Sequence, residues 1–396
     1  MKILQINNVY GEKSTGKITQ EIHQGLLAQG HESLVVFGRG AGVKERGVIR
    51  LCPDWYGKIN ALLCRISGMP YGGCLLSTWH LQRIILREKP DVVHLQCING
   101  NFVNIYRLIR WLKNHKIKTV CSLHAEFMYT ANCGHAFGCE QWKHGCKSCP
   151  DKKKANKSYF SDRTEKSWKA MYKAFSDFEK DCVICPVSSW TQERAEQGDI
   201  LKKFSFRTVW NGVNTAVFCP GEDRTEEKMV LNVTACHCDR KDHPKGGWYL
   251  TQLAKKMPDV TFLVAGSAEQ EGQLPENLTL LGQIRDQHQL AAYYRKATVS
   301  VLVSQKETFS LPCAESLCCG TPVVGFRAGA PEQIALAKHS EFVEHGDLDA
   351  LETVLRRWLA RTDLDSAQIA RDGAAAYSTQ TMVNNFLEVY RSMIWS

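Results

Sequence analysis

The sequence predicts an α/β chain of two doubly wound domains, each a parallel sheet with helices on both faces, opposed across a cleft. Three observations carry that reading. At 396 residues the chain exceeds what one ordinary core organises. Short β-branched runs alternate with stretches of helical periodicity, the pattern of strand-helix-strand units in a parallel sheet. The series stops at a turn-rich segment, Trp210-Asn211-Gly212-Val213 through Cys219-Pro220-Gly221-Glu222, and then begins again.

In the first half, strands are expected at Lys2–Asn7, Ser33–Phe37, Asp91–Leu95, Thr119–Leu123 and Val183–Val187. Helices fall near Ile18–Gln29, Thr78–Arg87 and Phe102–Asn114, where apolar residues recur every three to four positions. The second half supplies strands at Met229–Thr234, Thr261–Ala265, Leu278–Leu281, Val299–Val303 and Pro322–Gly325, with helices near Trp248–Met257, Gln287–Arg295 and Pro312–Cys319. Thr381–Trp395 carries Met382, Phe386, Val389, Tyr390 and Met393 at helical spacing. It is read either as a helix packed across the domain junction or as one docked on its own domain. The boundaries are then 1–211, with a Cys-rich insertion at 133–150, 212–380, and a terminal helix at 381–396. Doubly wound sheets bind ligands beyond the carboxyl ends of their strands, so the cleft is the expected site and the linker at Gly212 and Gly221 the expected hinge.

A hydrophobic content of 44%, a charged content of 23% and ten tryptophans exclude the disordered classes. No apolar run reaches the roughly 18 to 20 residues that span a bilayer, and polar Gln5, Asn7 and Asn8 interrupt the start where a signal peptide needs an apolar stretch. A cytoplasmic protein is therefore expected, with its seventeen cysteines mostly reduced and buried. Residues 1–211 hold 32 Lys+Arg against 18 Asp+Glu (+14), whereas 212–396 hold 18 against 23 (−5). A basic half asks for an anionic partner. Lys152–Lys157 and the stretch Lys166-Ser-Trp168-Lys-Ala-Met-Tyr172-Lys-Ala-Phe175 are read either as solvated faces or as contacts with an anionic inner-membrane surface.

The sharpest chemical pattern is Glu307-Thr-Phe-Ser-Leu-Pro-Cys-Ala-Glu315, two carboxylates with seven residues between them beyond the Val299–Val303 strand. Ser310 and Pro312 mark a helix start, which puts Glu315 in its first turns and Glu307 in the loop before it. The backbone N–H groups of Phe309, Ser310 and Leu311 are then placed to receive a phosphate. One carboxylate suits ribose hydroxyls and the other a sugar; two surface acids beside a helix dipole are the plainer alternative. Gly320-Thr-Pro-Val-Val and Gly329-Ala-Pro-Glu332 follow.

Together these segments resemble the second domain of retaining glycosyltransferases of family 4, which reads E-x-F-x-L-x-x-x-E-x-L-x-x-G-T-P-V-V and then G-x-P-E. The resemblance implies a GT-B fold of two Rossmann-like domains and a metal-free reaction that needs no cofactor. It implies that Glu315 contacts the donor's ribose and that Glu307 stands near the transferred sugar and its phosphates. It also implies cationic side chains after the second domain's first strand, to neutralise the leaving diphosphate. Asp239-Arg240-Lys241-Asp-His-Pro-Lys245-Gly246-Gly247 offers Arg240, Lys241 and Lys245 there; Arg240 and Lys245 resemble the family pair, with two extra residues between them.

In the first domain, Gly11-Glu-Lys-Ser14-Thr15-Gly16-Lys17-Ile18 joins the first strand to the first helix. It lacks both G-x-G-x-x-G and the P-loop spacing, which argues against a dinucleotide cofactor and against ATP hydrolysis. The resemblance implies that Gly16 contacts the donor and that His124, in Ser-Leu-His-Ala-Glu, positions the donor or stabilises the transition state. His94 is expected to shape the acceptor pocket or the sheet edge. Cys133, Cys139, Cys146 and Cys149 fall within seventeen residues. A structural zinc, a redox disulfide and unligated thiols all remain open for them. The Cys-rich block resembles a family-4 subgroup of capsule, colanic-acid and O-antigen clusters, with a departure at Ala125-Glu126-Phe127.

The function these readings imply is transfer of a sugar from a nucleoside-diphosphate sugar to a hydroxyl of a lipid-linked oligosaccharide, with retention, in bacterial surface polysaccharide synthesis. One rival is a sugar-nucleotide epimerase of the same architecture, which would need an acid/base set. Another is a zinc-containing nucleic-acid-binding protein, disfavoured by the acidic second half and the lack of a stacking motif; no nucleic-acid partner is expected.

Overall fold

The computed structural model describes residues 1–155, 158–222, 227–266, 268–269 and 273–395, with no side-chain description at 154, 155, 268 and 269. Lys157, and the side chain of Lys154, of the basic run noted above thus lie outside the described residues. The chain divides at the turn-rich segment: Met1–Trp210 together with Met382–Ser396 form one compact unit, and Asn211–Thr381 the other.

The first unit runs β1 (Lys2–Asn7), α1 (Lys13–Ala28), β2 (Glu32–Phe37), β3 (Val48–Arg50), α2 (Asp54–Ser67), α3 (Leu75–Glu88), β4 (Val92–Leu95) and α4 (Ile105–Asn114). It continues with β5 (Thr119–Leu123), α5 (Phe127–Thr130), α6 (Lys152–Ala155), α7 (Thr164–Phe175), β6 (Cys182–Pro186), α8 (Ser189–Glu196) and β7 (Ser205–Phe206). Its seven strands are parallel in the order β3-β2-β1-β4-β5-β6-β7. β1 lies in register with β2 from Lys2↔Glu32 to Asn7↔Phe37 and pairs β4 on its other side. With helices on both faces, β4 and β5 are buried along their whole length, and their polar His94, Thr119 and Ser122 are held by hydrogen bonds.

The second unit runs β8 (Met229–Val233), β9 (Cys236–His237), α9 (Gly247–Lys256), β10 (Thr261–Ala265), β11 (Ala268–Glu269), β12 (Leu278–Gly282), α10 (Gln287–Lys296), β13 (Val299–Leu302) and α11 (Leu311–Cys318). Then follow β14 (Val323–Phe326), α12 (Pro331–Ile334), β15 (Ser340–Val343), α13 (Leu348–Leu359), α14 (Ser366–Tyr377) and α15 (Thr379–Ile394). The main sheet is again all parallel, in the order β12-β10-β8-β13-β14-β15. Renumbered within each unit, both orders begin 3-2-1-4-5-6, the doubly wound sequence in which the strand order reverses between the first and fourth strands. Those reversals, β1/β4 and β8/β13, are where each sheet opens to a ligand.

Beyond Thr381, α15 belongs to the first unit. Its Val383 packs where a Cβ on Gly25 of α1 would meet it at 2.6 Å, and its Tyr390 hydroxyl lies 2.7 Å from His94 Nδ1. The basic stretch 166–175 forms α7, whose Trp168, Met171 and Phe175 are buried in the core. Its apolar side therefore faces inward, and Lys166, Lys169, Tyr172 and Lys173 stay exposed on the other side. Among the described residues no helix is long and apolar enough to cross a membrane.

Candidate functional site

In the second unit the loops after β8 and β13 meet at the reversal of strand order. The first loop ends on Gly246, whose φ of 70° is left-handed and whose absent Cβ would fall 2.0 Å from the Val303 carbonyl oxygen. Only glycine lets the loop lie this close to the end of β13. The loops are stitched by Gln305 N–H donating to the Pro244 carbonyl at 2.8 Å. Lys245 Nζ then donates to Glu307 Oε1 at 2.6 Å, both side chains half-buried. Lys241 instead lies over the Trp248 ring at 5.0 Å, and Arg240 sits 3.6 Å from Asp242 on the exposed turn. Of the three cations, Lys245 is the one the fold brings to a glutamate.

Glu307 is fixed from its other side. Its N–H donates to the Ala328 carbonyl and its carbonyl accepts from Ala330 N–H, so the loop pairs with the Gly329-Ala-Pro-Glu332 turn. Both Glu332 carboxylate oxygens accept from the backbone at Ala328 and Gly329, each at 3.0 Å, which closes that turn. Phe309 is buried, and Ser310 takes φ 86° at the N-cap position of α11, where its side chain makes no capping hydrogen bond. A left-handed serine costs about 1–3 kcal/mol and is kept where surrounding structure dictates the turn. The helix begins at Leu311, one residue earlier than the sequence places it, with Pro312 in its first turn. Its first N–H groups lack intrahelical acceptors, as at any helix start, and carry the positive end of the dipole. Glu315 lies one turn along, where its Oε2 accepts from the buried Tyr294 hydroxyl at 3.0 Å. Burial raises the Tyr294 hydroxyl well above its ordinary range, so it stays a donor.

In the first unit, helix α1 starts at Lys13, five residues before the expected Ile18, so Gly16 sits inside its first turn rather than in a loop. Gly11 N–H donates to the Gly16 carbonyl, and a Cβ on Gly16 would stand 3.0 Å from Val9 Cγ2. The glycine lets the helix press against the loop leaving β1. His124 follows β5 and its Nε2 lies 2.6 Å from Gln96 Oε1, at the end of β4. Gln96 Nε2 donates to Gln5 Oε1 at 3.1 Å, and Gln5 Nε2 to the Thr19 carbonyl of α1 at 3.3 Å. A carbonyl can only accept, so it orients Gln5, which orients Gln96, which leaves His124 to donate from Nε2. Burial pushes the imidazole down to about 4, so it is neutral near pH 7. His94 is fully buried between Tyr390 and Ser122, each 2.7 Å away, and belongs to the anchorage of α15 rather than to a pocket.

With these geometries established, the relatives decide the family. The model described as Glycosyltransferase Family 4 matches residues 15–217, just over half the chain, and that described as Glycosyl transferases group 1 matches 248–361. The chain belongs to glycosyltransferase family 4. It is 24% identical over 422 residues to the colanic acid biosynthesis glycosyl transferase named WcaC of Escherichia coli (strain K12), covering 99% of this chain and 100% of that one. It is 23% identical, over 99% of its length and 97% of the relative's, to the GDP-mannose-dependent phosphatidylinositol dimannoside mannosyltransferase of Mycobacterium tuberculosis (strain ATCC 25177 / H37Ra). Sucrose-phosphate synthase from Thermosynechococcus elongatus superposes with a TM-score of 0.70 at 14% identity, over 100% of both chains. Anabaena Alr3699/HepE in complex with UDP does so at 0.66 and 13%, over 99% and 100%. These likenesses give the family-4 chain the GT-B fold, and its activity is glycosyl transfer.

The Cys-rich segment of this glycosyltransferase is held by a residue the sequence left unexplained. Glu126 is fully buried and accepts from Arg194 Nε at 2.7 Å, from the Tyr129 hydroxyl at 2.8 Å and from Ala136 N–H at 2.6 Å. Trp142 donates from Nε1 to the Cys139 carbonyl, and Trp168 to the Trp142 carbonyl. Cys133, Cys139, Cys146 and Cys149 are free thiols. Burial raises the Cys133 and Cys146 thiols, Cys146 to about 12, and the neighbouring cysteines add to the effect. Among the described residues no group of three or more His, Cys, Asp or Glu side chains is placed to hold a metal ion. Sequence spacing could not have found the Glu126–Arg194 or His124–Gln96 pairs, since their members lie 68 and 28 residues apart.

Proposed function

We propose that the chain is a retaining transferase that moves a sugar from a nucleoside-diphosphate donor to a hydroxyl of a lipid-linked oligosaccharide in bacterial surface polysaccharide synthesis. The observation that carries the donor is the Lys245–Glu307 pair at the reversal of strand order, beside the start of α11. A diphosphate set against that start meets the N–H groups of Phe309, Ser310 and Leu311, which lead into the helix, and the Lys245 ammonium, with Arg240 and Lys241 on the adjoining turn. Glu315, its geometry fixed by Tyr294, accepts from ribose hydroxyls. Glu307 faces the sugar end. Gly16, in the first turn of α1, contacts the donor. The names of the relatives, for GDP-mannose and colanic acid, and the UDP of the Anabaena complex agree with this choice of donor.

In the reaction the bond from the anomeric carbon to the diphosphate oxygen breaks as the acceptor oxygen bonds on the same face. The acceptor proton passes to the departing phosphate oxygen. Lys245 and the α11 amides stabilise the charge that gathers on the diphosphate. His124 is neutral, with its Nε2 proton committed to Gln96, so it orients the donor as a dipole rather than as an acid. The test is incubation with nucleotide sugars and an undecaprenyl-diphosphate-linked acceptor, followed by NMR of the anomeric proton. A product with the donor's anomeric configuration supports the proposal; an inverted product, or epimerised donor with no transfer, sinks it.

A further inference from the structure

Helix α2 wears its amphipathic pattern inside out. Gly57, Asn60 and Cys64 face the domain, while Trp55, Ile59, Leu62, Leu63 and Ile66 stand 47–62% exposed at helical spacing. A helix of a soluble domain puts its large apolar residues inward. The neighbouring helix repeats the feature: on α3, Leu75, Leu76, Trp79 and Leu86 are 52–73% exposed. The two helices are tied side by side, since Asn60 Oδ1 accepts from Cys74 N–H at 2.7 Å and the Tyr56 hydroxyl lies 3.5 Å from Ser77 N. Tyr159 and Phe160, 52% and 74% exposed, join at the end of α2, where Tyr159 N–H donates to the Arg65 carbonyl at 3.0 Å. Among the described residues, eleven of the sixteen exposed large apolar side chains therefore lie on these three adjoining segments. Scattered singles need no explanation; a continuous face of this extent marks an interaction surface.

Charge selects the partner. The acids of α2 and α3 are Asp54, 3.2 Å from Arg50, and Glu88, bonded to Lys2 and Arg87. Lys58 and Arg83 are exposed beside the apolar stripe, Arg83 lies over the Trp79 ring at 5.2 Å, and Arg65 contacts the Tyr159 ring. Apolar and tryptophan side chains flanked by cations and without free acids match the boundary between acyl chains and anionic headgroups. Each such cation adds about 1 kcal/mol at an anionic surface.

We propose that the α2–α3 face docks this transferase in the plane of an anionic lipid bilayer. The proposal rests on the lipid-linked acceptor reading for its purpose, since it would hold the first unit where such an acceptor lies, and it is tested apart from it. The full chain is floated with vesicles of phosphatidylcholine containing 30% phosphatidylglycerol, and with phosphatidylcholine alone, beside the double variant Leu62→Glu/Leu76→Glu. Both positions are more than half exposed, so the fold should tolerate the change. Nucleoside-diphosphate melting shifts, run in parallel without lipid, report folding and the donor site.

The wild type should float with the anionic vesicles and the double variant should partition about tenfold less or weaker still, with an unchanged nucleotide shift. Quenching of Trp55 by brominated acyl chains, read as the signal lost in Trp55→Phe, should place that ring at the acyl boundary. Equal flotation of variant and wild type, or no flotation of either, overturns the proposal even if nucleotide binds. So does a wild-type dimer that the substitutions dissociate, which would make the face a contact between copies of this chain. Vesicle binding without any nucleotide shift would leave the membrane face standing and remove the donor reading instead.

Discussion

Replacing Gln96 by Leu cuts the relay that runs from the Thr19 carbonyl through Gln5 and Gln96 to His124. Two groups lose partners: Gln5 Oε1, fully buried, and His124 Nε2–H, at a partly exposed residue. A buried polar group left unmatched costs about 1–3 kcal/mol, and water recovers part of the histidine's share, so a loss of about 2–4 kcal/mol is expected. For a unit of this size that is a fall of about 5–15 °C in melting temperature. The assay is a near-UV circular dichroism melt at pH 7.5, with nitrogen-15 NMR of the histidines to read the tautomer. Wild-type His124 should carry its proton on Nε2, and the Leu variant should lose that preference. Gln96→Glu sets a carboxylate against the same nitrogen and should raise the His124 pKa from about 4. A Leu variant that melts with the wild type and keeps the same tautomer would refute the relay.

Three further outcomes follow from the same geometry. Lys245→Met should lower kcat/KM about 100- to 1000-fold by removing the charge opposite the leaving diphosphate. It should change stability by less than about 1 kcal/mol, because the pair with Glu307 is only half-buried; equal losses in folding and activity would contradict the assignment. Burial lowers His94 and His124 below the ordinary 6.5, so the unfolded chain binds more protons as pH falls through that value. Their contribution is therefore complete above about pH 6.5 and shrinks toward pH 4, and urea titrations at pH 7.5, 6 and 5 should show stability falling in that order. Glu126→Gln should cost about 1–3 kcal/mol by removing the buried charge that meets Arg194 at 2.7 Å, with Glu140 at 3.4 Å still facing the guanidinium; EDTA should shift the wild-type melt by less than about 1 °C where the four thiols hold no metal. A chelator-induced fall of several degrees would point to zinc at the four thiols.

The sequence disclosed those parts of the molecule that repeat with a short period. Strands such as β1, β5 and β10 match the expected ranges to the residue because a strand buried on both faces reads as a short, mostly apolar run bounded by polar turns. The glutamates and the start of α11 were legible for a related reason, since a cap, a proline and a carboxylate one turn on lie within nine residues. Helix α2 escaped notice: its best apolar stripe points outward, and Asn60 and Gly57 on the inner face break the expected pattern. The two-residue β7 is too short to show any alternation. Where the chemistry depends on contacts between distant segments, spacing was silent. That Lys245 rather than Arg240 or Lys241 meets Glu307 depends on Gly246 pressing against the end of β13, and the burial of Glu126 depends on Arg194, 68 residues away.

The most direct test of the donor site is a melting-temperature screen of the purified chain against UDP, GDP, CDP, ADP and dTDP, repeated with Lys245→Met and Glu315→Ala. Binding of one nucleoside diphosphate at 100 times its Kd should stabilise the wild type by about 2.7 kcal/mol, and clearly less in both variants. No shift with any of the five at millimolar concentration, or an equal shift in wild type and variants, would contradict a donor site built on Lys245, Glu315 and the start of α11.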